Sequence, residues 1–242
     1  MIKDALQYII GLQQPRIEEN GGKKYFFTRD GQPSLLQGCR TCEPMQLSTL
    51  TGLVEYIREK LDADMYRKRM MIQVVSETEV RLVSQFNEDM KRWEVVDVKA
   101  RVPEICLDRF LEQEKFIIQM QSMFLDTPDK SIVMQVAGNV EDRTVAAYGD
   151  DGVTQKATIK TGIANMEDVL VPNPVKLKPF RTFHEIGQPE IEFVFRMKNA
   201  ERGISCALFE ADGGMWKFYA VHEIAEYLKT ELADVQDVVV LS

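Results

Sequence analysis

Short apolar runs separated by tight-turn sequences constrain the fold of this chain more than any other feature. Residues 70–75 and 80–85 are rich in β-forming side chains and are separated by Ser76–Glu79, and a third run follows at 93–98. Connections this short join antiparallel strands, because parallel neighbours need a crossover of a dozen or more residues. The same pattern predicts further strands at 131–137, 144–148, 153–161, 191–197, 204–210 and 238–241.

Helical spacing of apolar residues indicates the remaining elements. Helices are predicted over residues 1–13, from Ser48 or Thr49 to about residue 61, and over 107–124. A last helix has one apolar face, formed by Val221, Ile224, Tyr227, Leu228 and Leu232. This order of elements predicts an α+β fold in which antiparallel β meanders pack against about three to four helices.

The segment after the first helix has a different composition. Residues 14–46 contain Gly21-Gly22, Asp30-Gly31 and several prolines, and only Tyr25–Phe27 is typical of a strand. We therefore predict an N-terminal helix and extended arm over residues 1–46 and an α+β core over 47–242. Long irregular segments often contact other subunits. Residues 126–130 are a possible further boundary, and the alternative is that both β meanders share one core.

Charge limits the partners of this chain. It has 30 basic and 38 acidic residues, which gives a net charge of −8. An acidic surface of this size opposes long-range attraction to nucleic acid and to anionic membranes. The one dense basic stretch, Arg67–Arg69, precedes an apolar run and is interpreted as a solvated strand entry.

The sequence also indicates a compartment. No apolar run approaches the roughly 18 residues of a membrane span, and the acidic Asp4 follows Met1 too closely for a secretory signal. We therefore expect a cytoplasmic protein without membrane partners.

The four cysteines do not form a recognisable site. Cys39 and Cys42 have the spacing of half a zinc site or of a redox pair, but Cys106 and Cys206 are isolated. A redox pair normally begins a helix after a buried strand, whereas this pair lies between glycine and proline. A metal site assembled from scattered residues and a redox role stay open, and we expect two thiols in an irregular arm, with no metal and no cofactor.

Two acidic, glycine-flanked segments imitate catalytic or metal sites. One contains Asp150 and Asp151, and the other contains Glu210 and Asp212. These carboxylates are the ones that a hydrolase would use. Calcium needs about six oxygen ligands from a spaced set of donors, which is missing here. Asp and Gly are also the residues that tight turns require, so both segments are interpreted as turns.

Nucleophilic catalysis has little support in the sequence. A catalytic Ser or Cys needs a positioned base, usually histidine, and the chain has only His184 and His222. The sequence contains neither a nucleophile elbow nor a phosphate-binding or dinucleotide-binding glycine loop. We therefore predict a non-enzymatic protein with no catalytic, cofactor-binding or metal-binding residues.

Aromatic residues favour a different alternative. They cluster in Tyr25–Phe27, at Phe180 and Phe183, and from Trp216 to Tyr219, with basic residues close by. Such segments suit stacking on single-stranded bases. The acidic net charge favours packing in cores and interfaces instead, so a nucleic-acid partner is considered but not favoured.

Several segments resemble an uncharacterised family of bacteriophage and prophage proteins. These segments are Leu47–Ile57, Tyr148–Val153, Val171–Val175 and Leu208–Gly214. The order of elements is similar to that of the YfdQ-like prophage proteins, and the similarity covers about residues 47–232. The resemblance implies a phage accessory protein, often encoded among early or recombination genes, and brings no site residues with it.

Two functional hypotheses follow. The first is a non-enzymatic phage or prophage accessory protein that self-assembles into a homo-oligomer, such as a ring or closed shell, because an extended arm and many short strands leave edges to cover. The alternative is a nucleic-acid-binding or nucleotide-binding protein in phage DNA metabolism or counter-defence.

Overall fold

The structure, a computed structural model, describes most of the chain. Its contacts divide the chain into two units, Met1–Cys42 and Glu43–Ser242, which are described separately. The predicted boundary after residue 46 stays a prediction, and most of the predicted helix at 1–13 lies outside the described residues. The described residues are 2–3, 5, 17–20, 23–27, 32–35, 43–62, 69–87, 90–139, 146–147, 155–160, 166–171, 173–200 and 203–242.

The first unit contains a small antiparallel sheet. The strands β1 (Ile17–Asn20), β2 (Lys23–Phe27) and β3 (Pro33–Leu35) pair in the order β1-β2-β3. The sequence predicted only the strand at Tyr25–Phe27 in this segment. Every side chain of β1 is exposed, so β1 has no alternating apolar pattern that could have predicted it.

Four helices lie in the described part of the second unit. The first of them begins where its cap predicts, because Thr49 Oγ1 accepts a hydrogen bond from the Gly52 amide at 3.2 Å. Its residues Leu50 and Leu53 are fully buried. The helices are α1 (Leu50–Arg58), α2 (Gln113–Met123), α3 (Pro128–Asn139) and α4 (Met215–Glu231).

A mixed five-stranded sheet contains the predicted meander. Its strands are β4 (Met45–Leu47), β5 (Met70–Ser76), β6 (Glu79–Val83), β7 (Glu94–Lys99) and β16 (Val238–Leu241), in the order β16-β5-β6-β7-β4. β5, β6 and β7 are antiparallel, as the tight turns predict. The two edge strands are parallel to their neighbours, which the sequence analysis did not predict.

A second five-stranded sheet is antiparallel throughout. Its strands are β8 (Leu111–Glu112), β9 (Phe124–Leu125), β13 (Val175–Pro179), β14 (Ile191–Ala200) and β15 (Gly203–Glu210), in the order β8-β15-β14-β13-β9. A three-stranded antiparallel sheet contains β10 (Ala146–Ala147), β11 (Gln155–Lys160) and β12 (Met166–Val171). The predicted α+β class, with antiparallel meanders and packing helices, is therefore confirmed.

Each five-stranded sheet contributes to its own apolar cluster. In the cluster of the antiparallel sheet, Phe116 of α2 stacks on Phe195 of β14, with ring centroids 5.5 Å apart. In the cluster of the mixed sheet, Leu53 of α1 packs with residues such as Ile72 and Val98. The residues on both sides of 126–130 belong to the first cluster, and the predicted boundary there stays a prediction.

Helix α4 contributes to both clusters. Trp216 and Ala220, in its first half, belong to the cluster of the antiparallel sheet. Ile224 and Leu228, in its second half, belong to the cluster of the mixed sheet. The helix therefore joins the two cores.

One predicted strand is wrong. Residues 131–137 lie within α3, with Val133, Val136 and Ala137 buried at helical spacing. Thr127 Oγ1 accepts a hydrogen bond from the Lys130 amide at 3.1 Å and so caps the helix. Pro128 occupies the first turn of α3, where its missing N–H costs nothing.

Two other elements differ from the prediction. The helix expected over 107–124 begins only at Gln113, and Asp108 has a φ of 58° that a helix does not allow. Two strands, β12 and β13, lie between residues 161 and 191, where the sequence analysis predicted none. Pro179 is the last residue of β13 and pairs with Phe124 of the two-residue strand β9.

Candidate functional site: the N-terminus of helix α4

The turn between β15 and α4 positions the site. Gly213 and Gly214 have φ angles of 64° and 80°, a conformation that glycine adopts without strain. The Asp212 carboxylate accepts hydrogen bonds from the Gly214 amide at 3.1 Å and from the Trp216 amide at 3.0 Å. The interpretation of this segment as a turn agrees with the geometry. Asp212 therefore acts as a helix cap, and its oxygens are occupied.

A buried arginine lies beneath this turn. The side chain of Arg181 is 7% exposed, and its Nη1 lies 2.7 Å from Glu210 Oε1. Its guanidinium carbon is 4.7 Å from the ring centroid of Trp216 and 5.2 Å from that of Phe193. Burial lowers the pKa of Arg181, and the charge of Glu210 opposes that change. An arginine stays protonated in this setting, so Arg181 and Glu210 form an ion pair.

Two buried donors in this cluster lack hydrogen bonds to the protein. Among the described residues, neither Arg181 Nη2 nor Trp216 Nε1 has an acceptor. Arg181 Nη1 pairs with Glu210 at 2.7 Å, and this contact opposes the effect of burial on the pKa of Arg181. Arg181 and Trp216 thus form a polar cluster at the turn, and Arg181 does not line the cleft described next.

A cleft of about 330 Å³ opens beside the first turn of α4. Its acidic residues already have partners: Glu190 lies 3.3 Å from Lys178 Nζ, Glu192 lies 4.0 Å from Lys176 Nζ, and Asp212 caps the helix. The three carboxylates of the cleft thus take part in two ion pairs and one helix cap. The cleft is lined by Lys176, Glu190, Ile191, Glu192, Asp212, Met215 and Tyr219.

An apolar stripe runs along the exposed side of α4 next to the cleft. Met215, Phe218 and Tyr219 are 51%, 73% and 63% exposed. Their spacing of three and four residues places them on one face of the helix, opposite Trp216 and Ala220. Contiguous exposed apolar patches are typical of binding surfaces. We call these three residues the α4 stripe.

The other described site candidates are two histidines and two cysteines. His184 is exposed in the loop after β13, where its ring centroid lies 6.0 Å from that of Phe180, and His222 is exposed on α4. Cys106 is half-buried and Cys206 is buried, and burial raises the pKa of the Cys206 thiol to about 12. A thiol with so high a pKa is a poor nucleophile at neutral pH.

Four candidates lie outside the described residues: Cys39, Cys42, Asp150 and Asp151. Within the part of the chain that the structure describes, no group of three or more His, Cys, Asp or Glu residues is arranged to hold a metal ion.

The aromatic segments divide between core and surface. Phe183 and Trp216 are 1% and 6% exposed and serve as core residues. Phe218 and Tyr219 are exposed, but Tyr219 shares the cleft with Glu190 and Glu192, whose charge repels phosphate. The sequence did not indicate Arg181 as part of a site, because its burial depends on Phe193 and Trp216, which are distant in the chain.

Comparisons with known proteins add no identification to this geometry. Among the helices of the described residues, none combines the length and the apolar character needed to cross a membrane. We found no protein-family model, no curated protein and no solved structure that matches this chain.

Proposed function

We propose that this protein is a non-enzymatic phage or prophage accessory protein that self-assembles into a homo-oligomer, with a ring or closed shell as its expected form. The observation that supports self-assembly most is the α4 stripe beside the cleft. Aromatic residues and methionine are enriched at protein interfaces, where their burial supplies much of the binding energy.

The stripe and the cleft complement each other. Phe218 projects from the surface with 73% of its area exposed, while Met215 and Tyr219 line the neighbouring cleft of about 330 Å³. In a two-fold contact the same patch faces itself. A projection and a cleft on one patch therefore allow Phe218 of each copy to enter the cleft of the other.

The acidic side chains at the cleft argue against the alternative. A nucleic-acid site needs cations available along its groove, whereas Lys176 is paired with Glu192 here and Lys178 is paired with Glu190. Direct contact between copies buries the stripe without bringing phosphates to these carboxylates. Self-assembly is therefore favoured over nucleic-acid or nucleotide binding.

Native mass spectrometry tests the proposal with a matched pair of variants. Phe218→Asp places a charge in the stripe, and the helix tolerates it because an acidic residue near a helix N-terminus is favourable. Ile118→Asp places the same charge at a residue of α2 that is 54% exposed. We expect the wild type to form an oligomer at micromolar concentration, Phe218→Asp to lower its mass and Ile118→Asp to leave it unchanged.

Two results would contradict the proposal. One is a wild-type protein that is monomeric at micromolar concentration. The other is binding of single-stranded DNA or a cyclic nucleotide at moderate salt that Phe218→Asp and Tyr219→Ala abolish, since that result assigns the stripe to the alternative function.

A further inference from the structure

Strand β16 forms one edge of the mixed sheet. It contains Val238, Val239, Val240 and Leu241, and it pairs in parallel with β5. No other described strand pairs with it. The exposed edge of a strand presents a row of backbone donors and acceptors that another strand can bind.

The hydrogen-bond register shows which backbone groups of β16 face outward. The Met70 amide donates to the Asp237 carbonyl at 2.8 Å. In a parallel ladder alternate residues of a strand bond to the same neighbour. Asp237, Val239 and Leu241 therefore direct their backbone groups towards β5, and the N–H and C=O groups of Val238 and Val240 point away from the sheet.

The edge lacks the features that usually prevent strand addition. Proteins protect edges with lysine, proline, bulges or inward-pointing charges, and Val238–Leu241 contains none of these. The three valines are half-buried and Leu241 is 49% exposed. The opposite edge, β4, is three residues long, so β16 offers the longer of the two edges.

We propose that β16 pairs with β16 of a second copy, antiparallel and about a two-fold axis near Val239. Val238 of each copy then lies opposite Val240 of the other, and the outward groups form about four hydrogen bonds. The pairing places valine and leucine side chains of both copies side by side and brings no like charges together. It joins two five-stranded sheets into one continuous sheet.

A second copy fits this edge better than an unrelated peptide. A two-fold axis makes two identical strands antiparallel, which is the more stable pairing. The four residues are apolar and give no charge pattern by which to select a different sequence. The same strand on both sides satisfies every outward group.

This inference rests on the proposed self-assembly and gives it a geometry. The α4 stripe and β16 would form two different two-fold contacts on each copy. Copies that are joined alternately by these two contacts form a chain of copies. The chain closes into a ring when the rotations between successive copies add up to a full turn. Loss of one contact then leaves dimers held by the other.

The test blocks the edge with substitutions that keep the hydrogen bonds of β16 to β5. Val240→Pro removes an N–H that points outward and leaves the bonds of Val239 and Leu241 to β5 intact. Val239→Lys adds an edge lysine at a residue that is not part of the apolar cluster. Val75→Lys, at a residue of the interior strand β5 that is 41% exposed, is the matched control.

We expect both edge variants to form dimers by native mass spectrometry, at least about twofold smaller than the wild-type assembly. Val75→Lys should keep the wild-type mass. If Val240→Pro fails to fold, Val239→Lys still decides the question. Edge variants of wild-type mass, together with a Phe218→Asp variant of reduced mass, overturn the β16 pairing and leave self-assembly standing. A monomeric wild type overturns self-assembly itself.

Hydrogen–deuterium exchange supplies a residue-specific readout. In the wild-type assembly, the amides of Val238 and Val240 should exchange slowly, because a second strand covers them. In Val239→Lys the outward amides should exchange rapidly, while the amide of Leu241 stays protected by β5. Rapid exchange at Val238 and Val240 in the wild-type assembly would show that no strand covers this edge.

Discussion

Arg181 and Glu210 form an ion pair beneath the first turn of α4, with 2.7 Å between Nη1 and Oε1. The pair links the loop after β13 to the end of β15. Arg181 is 7% exposed at its side chain and Glu210 is 29% exposed, so the arginine depends on the glutamate for charge compensation. The pair therefore supports the turn on which the α4 stripe is built.

Removing the acid from this pair should destabilise the fold more than removing the base. Glu210→Gln leaves a buried cation without its counter-ion, and we expect the free energy of unfolding to fall by about 3 kcal/mol. Arg181→Met keeps the apolar contacts with Trp216 and Phe193 and should lose less. Urea denaturation measures both. Lys178→Gln breaks an exposed pair with Glu190 and should cost at most about 1 kcal/mol; equal losses in all three variants would refute the argument.

The contribution of the Asp212 cap to the stability of the protein should be measurable on its own. Asp212→Ala removes the acceptor of the Gly214 and Trp216 amides, and we expect a loss of about 1–2 kcal/mol in the free energy of unfolding. Asp212→Asn keeps one of the two acceptor oxygens and should recover part of that loss. If the two variants are equally stable in urea, the carboxylate does not cap the helix.

Two phenylalanines should respond in opposite ways to truncation. Phe195 is fully buried and stacks on Phe116, so Phe195→Ala should cost about 3–5 kcal/mol. Phe218→Ala should change stability by no more than about 0.5 kcal/mol, because the side chain is exposed in the monomer. Chemical denaturation measures the free energy of unfolding of both variants, at a protein concentration low enough to dissociate any oligomer. A large loss in the Phe218 variant under those conditions would mean that Phe218 packs within its own copy.

Cys206 should make stability depend on pH in the alkaline range. Burial raises the pKa of its thiol from 9.0 to about 12. The folded state thus holds the proton more tightly than the unfolded state does. The stability that the protonated thiol contributes is therefore fully present below pH 9.0 and is lost as the pH rises towards about 12. The stability difference between the wild type and Cys206→Ala should therefore narrow above pH 9.0, by up to about 1.4 kcal/mol per pH unit. A difference that stays constant from neutral pH to about pH 10.5 would exclude this ionisation.

Local signals predicted a large part of the fold. The hairpin of β5 and β6 follows from two β-rich runs and a short polar connection, and α1 follows from the Thr49 cap and the spacing of Leu50 and Leu53. The strand at Val238–Leu241 was also predicted. Its parallel pairing with β5 was not, because its partner lies more than 160 residues earlier in the chain and no local pattern specifies the pairing.

Competing local signals explain the errors. Residues 131–137 contain β-branched side chains that favour a strand, but the Thr127 cap and Pro128 start a helix whose buried face is completed by Ala137. The candidate site was less predictable still. Asp212 was correctly interpreted as a turn residue, whereas the burial of Arg181 depends on contacts between β13, β14 and α4 that only the tertiary structure brings together.

Helix α4 belongs to both apolar clusters, and this affects how the chain can fold during its synthesis. Both sheets also need late segments, since β15 completes one and β16 the other. Neither core can therefore close before these late segments have been synthesised. The early strands of both sheets should stay without a complete core until then, and during that time their apolar side chains are exposed to aggregation.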